Sequence, residues 1–428
     1  MKRRKAKTLA GFMELSPSKQ VLFNKMKETI QKTFELNGLT PMDTPVLEYS
    51  SVLLAKAGGE TEKQIYRFEK SDADVCMRFD LTVPFAKYVA LYENELNFPF
   101  RRYQIGKVYR GERAQKGRLR EFYQCDMDII DKDSLDISAD AECIDVLSQV
   151  FENLGYEIII RVNNRKVVSG LLEELNLQAS ASEILNILDK KDKIGRAKTA
   201  ELLSAHSQNY NKLIDFFEIK STDKLRELNF KNEKFLTGLA EIEKLFEILK
   251  MKNTKAEVVF DFGIIRGLDY YTGTVFEANL KNVNERVSVG GGGRYENLAS
   301  YFTEQNFCGV GVSVGLSRLF DILDKNSMLE FSQRTTTKVA LIPFDDTLDY
   351  AFSLEKFLKV NDIPTETVYY INKSFKKKMS YVDKKQIPYL IVIGGNEVQG
   401  GVFELKNMKT GEVKKLDKNA VVKELKNI

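Results

Sequence analysis

The stretch from Phe98 to Ile130 concentrates side chains that could bind and polarise a substrate. Along the run Arg120 to Ile130, Phe122, Gln124, Asp126 and Asp128 recur at period two. A strand there puts all four on one face. The preceding run alternates Tyr103, Ile105 and Lys107 with Gln104, Gly106 and Val108, and closes on Arg110 and Glu112. Between the runs lies a basic loop, Arg113 to Arg118, with three cations and a glycine. A sheet face kept for structure alone is apolar or evenly polar. A face offering an arginine, an aromatic ring, an amide and carboxylates suits a ligand that is planar, anionic in one part and cationic in another.

Other residues narrow the chemistry. His206 is the only histidine and, isolated in a helical stretch, reads as a solvated or core-edge residue, so a His-based triad or a His-rich metal site is nearly excluded. Cys76, Cys125, Cys143 and Cys308 are scattered without metal-ligand spacing, which fits reduced thiols in a cytoplasm. Gly290 to Gly293 could cradle phosphates, but the run lacks the Lys-Ser/Thr of a P-loop. It could equally let a flat ligand lie on bare backbone. Thr82 reads as the cap of a helix, with Asp80 beside its dipole, or as part of a binding site. Arg318 falls in the first turn of a helix beginning near Gly315, where an ordinary surface arginine is the simple reading.

Several elements must position these groups. A helix is expected over 16–36, started by Ser16 and Pro17 and ended by Gly38. A hairpin follows over 64–79, then helices over 82–95 and 139–152 and a strand over 156–162. Residues 165–245, rich in Leu, Lys, Glu and Asn, read as a helical insertion. The strand pattern returns at 256–261, 270–280 and 284–289, followed by a helix over 295–303, a strand over 308–314 and a helix over 315–323. A polar linker precedes a separate small α/β domain from 338. That domain has 16 lysines against 12 acidic residues, so the chain's whole formal excess of +4 sits there. Lys376, Lys377, Lys378, Lys384 and Lys385 lie on or beside one of its helices and read either as a solvated face or as a nucleic-acid face. At 428 residues, with 43% hydrophobic and 29% charged content, the chain fits two or three soluble domains. No apolar run reaches membrane-helix length, and no secretory signal follows the basic N-terminus.

Arg110-Gly111-Glu112 with Arg120-Glu121-Phe122 resembles motif 2 of class II aminoacyl-tRNA synthetases. Gly309-Val310-Gly311 through Gly315-Leu316-Ser317-Arg318-Leu319 resembles motif 3, and Gly38 to Pro45 the weaker motif 1. Arg266-Gly267-Leu268-Asp269-Tyr270-Tyr271 through Glu277, and Gly291-Gly292-Gly293-Arg294-Tyr295, are similar to the two histidine-specific blocks of the histidyl-tRNA synthetase family. The resemblance covers essentially the whole chain. It implies an α/β (α+β) fold: an antiparallel-sheet catalytic domain over 1–325 with a helical insertion, a linker over 326–337, and an α/β anticodon-binding domain over 338–428.

By the same resemblance, the activity is ligation of histidine to tRNA(His) through an adenylate, with ATP as substrate, Mg2+ as cofactor and a homodimer as the assembly. Arg110 then holds the α-phosphate, Arg318 the γ-phosphate, Phe122 the adenine ring and Glu112 its amino group. Asp80 and Thr82 take the histidine ammonium, with Gln124 beside them. Asp128, Tyr270 and Tyr271 surround the imidazole, over a floor formed by the glycine run. Arg266 bridges carboxylate and α-phosphate, and Arg113 and Gln115 face the tRNA acceptor end. No protein ligand for the metal is assigned. The competing expectation is a non-catalytic regulatory subunit of histidine biosynthesis. Such relatives usually lack the C-terminal domain, and many lose the motif arginines. Arg110, Arg266, Arg318 and the region after 338 are all present here.

Overall fold

The computed structural model describes residues 6–54, 62–70, 73–112, 118–208, 210–264, 271–283, 287–296, 298–330, 334–369 and 374–427. The chain divides into two compact units, one of residues 1–13 with 26–329, the other of 14–25 with 330–428.

The first unit is organised by an eight-stranded sheet. Helix α1 (Pro17–Leu36) precedes the short edge strand β1 (Thr40–Pro41). A three-stranded sheet follows, made of β2 (Leu47–Tyr49), β3 (Arg67–Lys70) and β4 (Ala73–Met77) in the order β2-β4-β3. After helix α2 (Thr82–Leu91) come the two long strands of the hairpin, β5 (Phe100–Tyr109) and β6 (Glu121–Lys132). Helix α3 (Ser138–Leu154), ended by Gly155 in the left-handed region, leads to β7 (Ile158–Asn164). Beyond the insertion lie β8 (Glu257–Phe260), β9 (Tyr271–Leu280), β10 (Ser288–Glu296) and β11 (Phe307–Val314). The sheet order is β1-β5-β6-β11-β10-β9-β7-β8. Every neighbouring pair is antiparallel except β1 with β5 and β7 with β8.

The insertion runs from α4 (Arg165–Glu174) to α5 (Glu233–Met251) and has its own core, with Val167, Leu171, Ile184, Leu213, Phe235 and Phe262 buried together. It is therefore a packed subdomain rather than a long loop. His206 sits in a turn within it, with a backbone bond to Leu203. Helix α6 (Leu316–Lys325) follows β11.

The second unit contains β12 (Val339–Pro343), α7 (Leu348–Val360), β13 (Thr365–Thr367), α8 (Phe375–Lys385), β14 (Tyr389–Ile393), β15 (Val402–Asn407), β16 (Val413–Asp417) and α9 (Lys418–Lys426). Its sheet, β13-β12-β14-β15-β16, is parallel in the first three strands and antiparallel in the rest.

One sequence expectation needs correction: no helix spans 295–303. Gly290 to Glu296 belong to β10, in the middle of the large sheet, and residues 298–302 are turns. The strands on either side demand glycine there. A Cβ on Gly292 would lie 1.9 Å from the Gly311 carbonyl oxygen of β11, closer than any side chain could tolerate. Helix α9 was not expected. Its start is capped by Asp417, whose Oδ1 accepts from the amides of Asn419 and Ala420 at 2.8 and 2.9 Å.

Candidate active site

The face read from β6 is the wall of a pocket. Asp80, Thr82, Gln124, Asp126, Asp128, Tyr271, Tyr295, Gly311, Val312 and Ser313 line one small cavity. Cross-strand register builds it: Asp128 stands opposite Arg102 of β5 and Gly311 of β11, and Asp126 opposite Ser313. A Cβ at Gly311 would fall 2.1 Å from Asp128 Oδ1, so the glycine leaves the room that the carboxylate occupies.

Asp128 is held on both oxygens. Its Oδ1 accepts from the Tyr295 hydroxyl at 2.9 Å, and its Oδ2 is ion-paired with Arg102, which is fully buried. The Arg102 guanidinium lies 4.3 Å from the centre of the Phe85 ring. Asp80 Oδ1 accepts from the Val83 amide at 3.1 Å, so Asp80, rather than Thr82, satisfies the start of α2. Gln124 Nε2 donates to Ser313 Oγ at 2.8 Å.

Those bonds leave three acceptors of cavity-lining residues, Asp80 Oδ2, Gln124 Oε1 and Asp126 Oδ1, buried without a hydrogen-bond partner among the described residues. Arg102 Nε and Nη1, behind the carboxylates, are donors in the same condition. Buried acceptors are costly to leave unpaired, so the site is complementary to a ligand rich in N–H donors. Electrostatics agree. Three buried carboxylates surround the cavity with one buried arginine behind them. Burial pushes Asp80 up to about 6 and Asp126 up to about 7, and raises Asp128 against the pull of Arg102. A bound cation relieves that strain.

A second, cationic region adjoins the N-terminal half of β6. Arg110 Nε donates to the Phe79 carbonyl at 3.0 Å, and its guanidinium lies 5.1 Å from the Phe122 ring centre. Glu112 is paired with Arg118 at 3.1 Å, and its carbonyl accepts from Arg120 Nε at 3.0 Å. Arg318 Nη1 donates to the Ser288 carbonyl at 3.2 Å. The preceding Ser317 hydroxyl accepts the Tyr123 amide at 2.9 Å, which docks the start of α6 against β6. Burial, and then the neighbouring Arg110 and Arg118, push the Arg318 guanidinium down. Like charges are gathered here at a cost, as in a site awaiting an anion.

The structure thus brings together Asp80, Thr82, Gln124, Asp128 and Tyr271 around one cavity, and Arg110, Glu112, Phe122 and Arg318 around the cationic region. Arg266, Tyr270, Arg113 and Gln115 lie outside the described residues. The sequence puts Asp126 on the right face without assigning it a role, and it gives no sign of Arg102 or Ser313 as site residues. Period two is the signal for Asp126. Arg102 and Ser313 become visible only through strand register, which pairs residues 26 or more positions apart. Tyr295 stands out in the sequence only as the end of the glycine-rich block.

A family model described as histidyl-tRNA synthetase matches residues 11–319, and one described as anticodon binding domain matches 338–428. A histidine–tRNA ligase of Clostridium tetani is 44% identical over 99% of this chain and 98% of its own length. A second, from Clostridium acetobutylicum, is 41% identical over 96% of this chain and 98% of its own. The crystal structure of histidyl-tRNA synthetase from Nostoc sp. PCC 7120 superposes with a TM-score of 0.90 at 30% identity, covering 99% of this chain and all of that one. The chain belongs to the histidyl-tRNA synthetase family.

Proposed function

We propose that the protein activates histidine with ATP and transfers it from the adenylate to the 3' end of tRNA(His). The observation that carries this reading is the three unpartnered acceptors of the acidic pocket beside the arginine cluster. An α-ammonium group has three N–H donors, and Asp80, Gln124 and Asp126 offer three acceptors. Asp128, with Tyr271 and Tyr270, receives the imidazole; Thr82 supports the ammonium end. A competitor without ring nitrogens leaves buried groups unpaired, a discrimination on the order of 10⁴–10⁵ in sites of this kind.

On the nucleotide side, Phe122 stacks on adenine and Glu112 meets its amino group. Arg110 holds the α-phosphate and Arg318 the γ-phosphate, a task suited to bidentate guanidinium. A histidine carboxylate oxygen attacks the α-phosphorus, and pyrophosphate leaves opposite it. Arg110 and Arg266 stabilise the charge that develops, with no covalent bond to the enzyme. The terminal ribose hydroxyl of the tRNA then attacks the adenylate carbonyl and expels AMP. Mg2+ needs one or two carboxylates besides phosphate oxygens. Glu112 and Glu277, both close enough to Arg318 to act on its charge, would be the nearest carboxylates to such an ion. The ion supplies charge neutralisation at the phosphates.

Arg113 and Gln115 meet the acceptor end and the helical insertion the acceptor stem, while 338–428 reads the anticodon. The catalytic domain is 1–325 and the linker 326–337. The active form is a homodimer in the cytoplasm. In support of the dimer, Leu47 and Tyr49 of β2 and Phe68 of β3 share one face of the small sheet with Val75 and Met77, and are 48%, 61% and 42% exposed. A second copy presenting the same face covers them symmetrically. The four cysteines are all free and buried, as suits a reducing compartment. No helix among the described residues is long and apolar enough to cross a membrane.

Histidine-dependent exchange of pyrophosphate into ATP, run against all the amino acids, tests the reaction. Exchange with histidine alone is expected, and its absence from folded enzyme overturns the reading. Regulatory relatives give no exchange either, so the same assay separates the two. Arg266→Ala should slow activation much more than it weakens histidine binding.

A further inference from the structure

The aromatic residues of the second unit sort into two sets. Tyr350, Phe357, Tyr389 and Phe403 pack in or against its core. Phe344, Phe352, Tyr369 and Phe375 remain between 41% and 51% exposed. Phe344 leaves the C-terminal end of β12, and Tyr369 the same end of the adjacent parallel strand β13. Phe375 opens α8, and its ring lies parallel to that of Phe344, at 9° with centroids 6.0 Å apart. Phe352 of α7 meets Tyr369 edge-on at 5.6 Å. The carboxyl edge of parallel strands is where open α/β sheets take ligands.

The Phe344–Phe375 pair is fixed from below. The Phe344 amide donates to the Ile393 carbonyl at 3.0 Å, and Thr347 Oγ1 donates to the carbonyls of Phe344 and Ile393 at 3.0 and 2.8 Å. A Cβ on Gly394 would lie 3.4 Å from the Phe344 ring, so the residue there packs against the ring edge. The buried Lys378 ammonium donates to the Pro343 carbonyl at 3.4 Å and ties the first turn of α8 to the end of β12. Beside the rings, Lys376 and Lys377 are exposed and form no ion pair among the described residues. Lys359, Lys385, Lys414 and Lys415 of the same unit pair with Glu355, Glu366, Glu424 and Glu404. A solvated helix face explains free lysines, but not two apolar rings held rigidly in water next to them.

We infer that the Phe344–Phe375 pair is a stacking platform for an unpaired nucleobase of the tRNA anticodon loop, with Lys376 and Lys377 meeting the adjoining phosphates. RNA with splayed-out bases is bound through aromatic stacking and backbone charge, and the pairing of rings with unpaired cations matches both. The inference rests on the tRNA-charging reading and specifies the RNA-binding surface within it.

The test uses full-length enzyme. Phe344→Ala/Phe375→Ala should leave histidine-dependent pyrophosphate exchange unchanged. It should lower kcat/KM for tRNA charging roughly 10- to 100-fold, chiefly through KM. Tyrosine at both positions should retain charging. Leucine, apolar but not aromatic, should fail as alanine does. Lys376→Ala/Lys377→Ala should weaken tRNA binding and reduce the slope of its salt dependence by about one for each phosphate that is no longer neutralised. Anticodon stem–loop RNA carrying 2-aminopurine at each anticodon position in turn should be quenched at one position by wild type and not by the alanine double variant. Unchanged charging in the alanine variant, leucine behaving as wild type, or undiminished quenching overturns the platform. A double variant that changes oligomeric state while binding RNA normally makes the rings a protein interface instead. Wild-type enzyme that gives exchange but no charging of tRNA(His) overturns the functional reading, and the quenching experiment then decides the platform by itself.

Discussion

Asp126→Asn should make the ligand-free enzyme more stable and a poorer binder of histidine, with both effects dependent on pH. Asp126 is 3% exposed and faces Asp128 on its own strand, Asp80 ahead of α2, Arg102 of β5 and Ser313 of β11. Burial comes first among the causes that raise its carboxyl from 3.8 to about 7, with the two carboxylates adding and Arg102 and Ser313 opposing. Because the folded value lies above the unfolded one, the native state holds the proton between about pH 4 and 7. Stability from this group is therefore greatest at low pH and falls as pH rises through that window. Three pH units correspond to about 4 kcal/mol lost by pH 8. Asparagine keeps an acceptor for Ser313 but adds N–H donors that cost about 1–3 kcal/mol if unmet. The expected net gain is about 1–3 kcal/mol at pH 8, with no gain at pH 5, where the native carboxyl is already protonated. Urea titrations followed by circular dichroism at the two pH values measure it. Calorimetric binding at pH 8 should show histidine affinity reduced roughly 10- to 100-fold, the loss of one charge-assisted acceptor. A variant less stable than wild type at pH 8, or one equally stabilised at both pH values, refutes the electrostatic account. Unchanged histidine affinity refutes the role given to Asp126.

Three further outcomes follow from the geometry. Gly311→Ala drives a methyl group into Asp128 and should separate it from Arg102 and Tyr295; histidine binding should fall by about 100-fold or more while ATP binding persists, as equilibrium titration with each ligand will show. Arg318→Ala should raise KM for ATP at least about tenfold and leave KM for histidine near wild type, measured by exchange kinetics. Tyr49→Asp/Phe68→Asp charges the exposed face of the small sheet; sedimentation should shift the enzyme towards the 49.0 kDa monomer, and an unchanged dimer removes that face from the interface.

The hairpin is legible in the sequence because its information is local. Period two along β6 names one face, and what is left to context is what covers it, since both faces are buried from Gln124 to Ile130. The capping role at α2 is half legible: the sequence offers Thr82 as the cap and Asp80 only as a dipole partner, and backbone geometry gives the Val83 amide to Asp80. The glycine run is only half legible, for a physical reason. Glycine in a chain read alone signals backbone freedom, whereas Gly292 answers to a carbonyl 19 residues away in sequence and one strand away in space. Arg102 is invisible in the same sense. On its own it is one more basic residue; opposite Asp128 it becomes the buried counter-charge of the pocket.

Strand β6 also acts as a ruler. Phe122 and Asp128 are six residues apart on one pleated strand, and at about 3.3 Å per residue their separation is near 20 Å. That interval is written in bond lengths and backbone angles, not in side-chain packing. No substitution can lengthen or shorten it, and losing a single residue turns Gln124, Asp126 and Asp128 to the opposite face together. Selectivity at this wall can therefore change one side chain at a time, while the length of strand between the cationic region and the acidic pocket is held fixed by its own geometry.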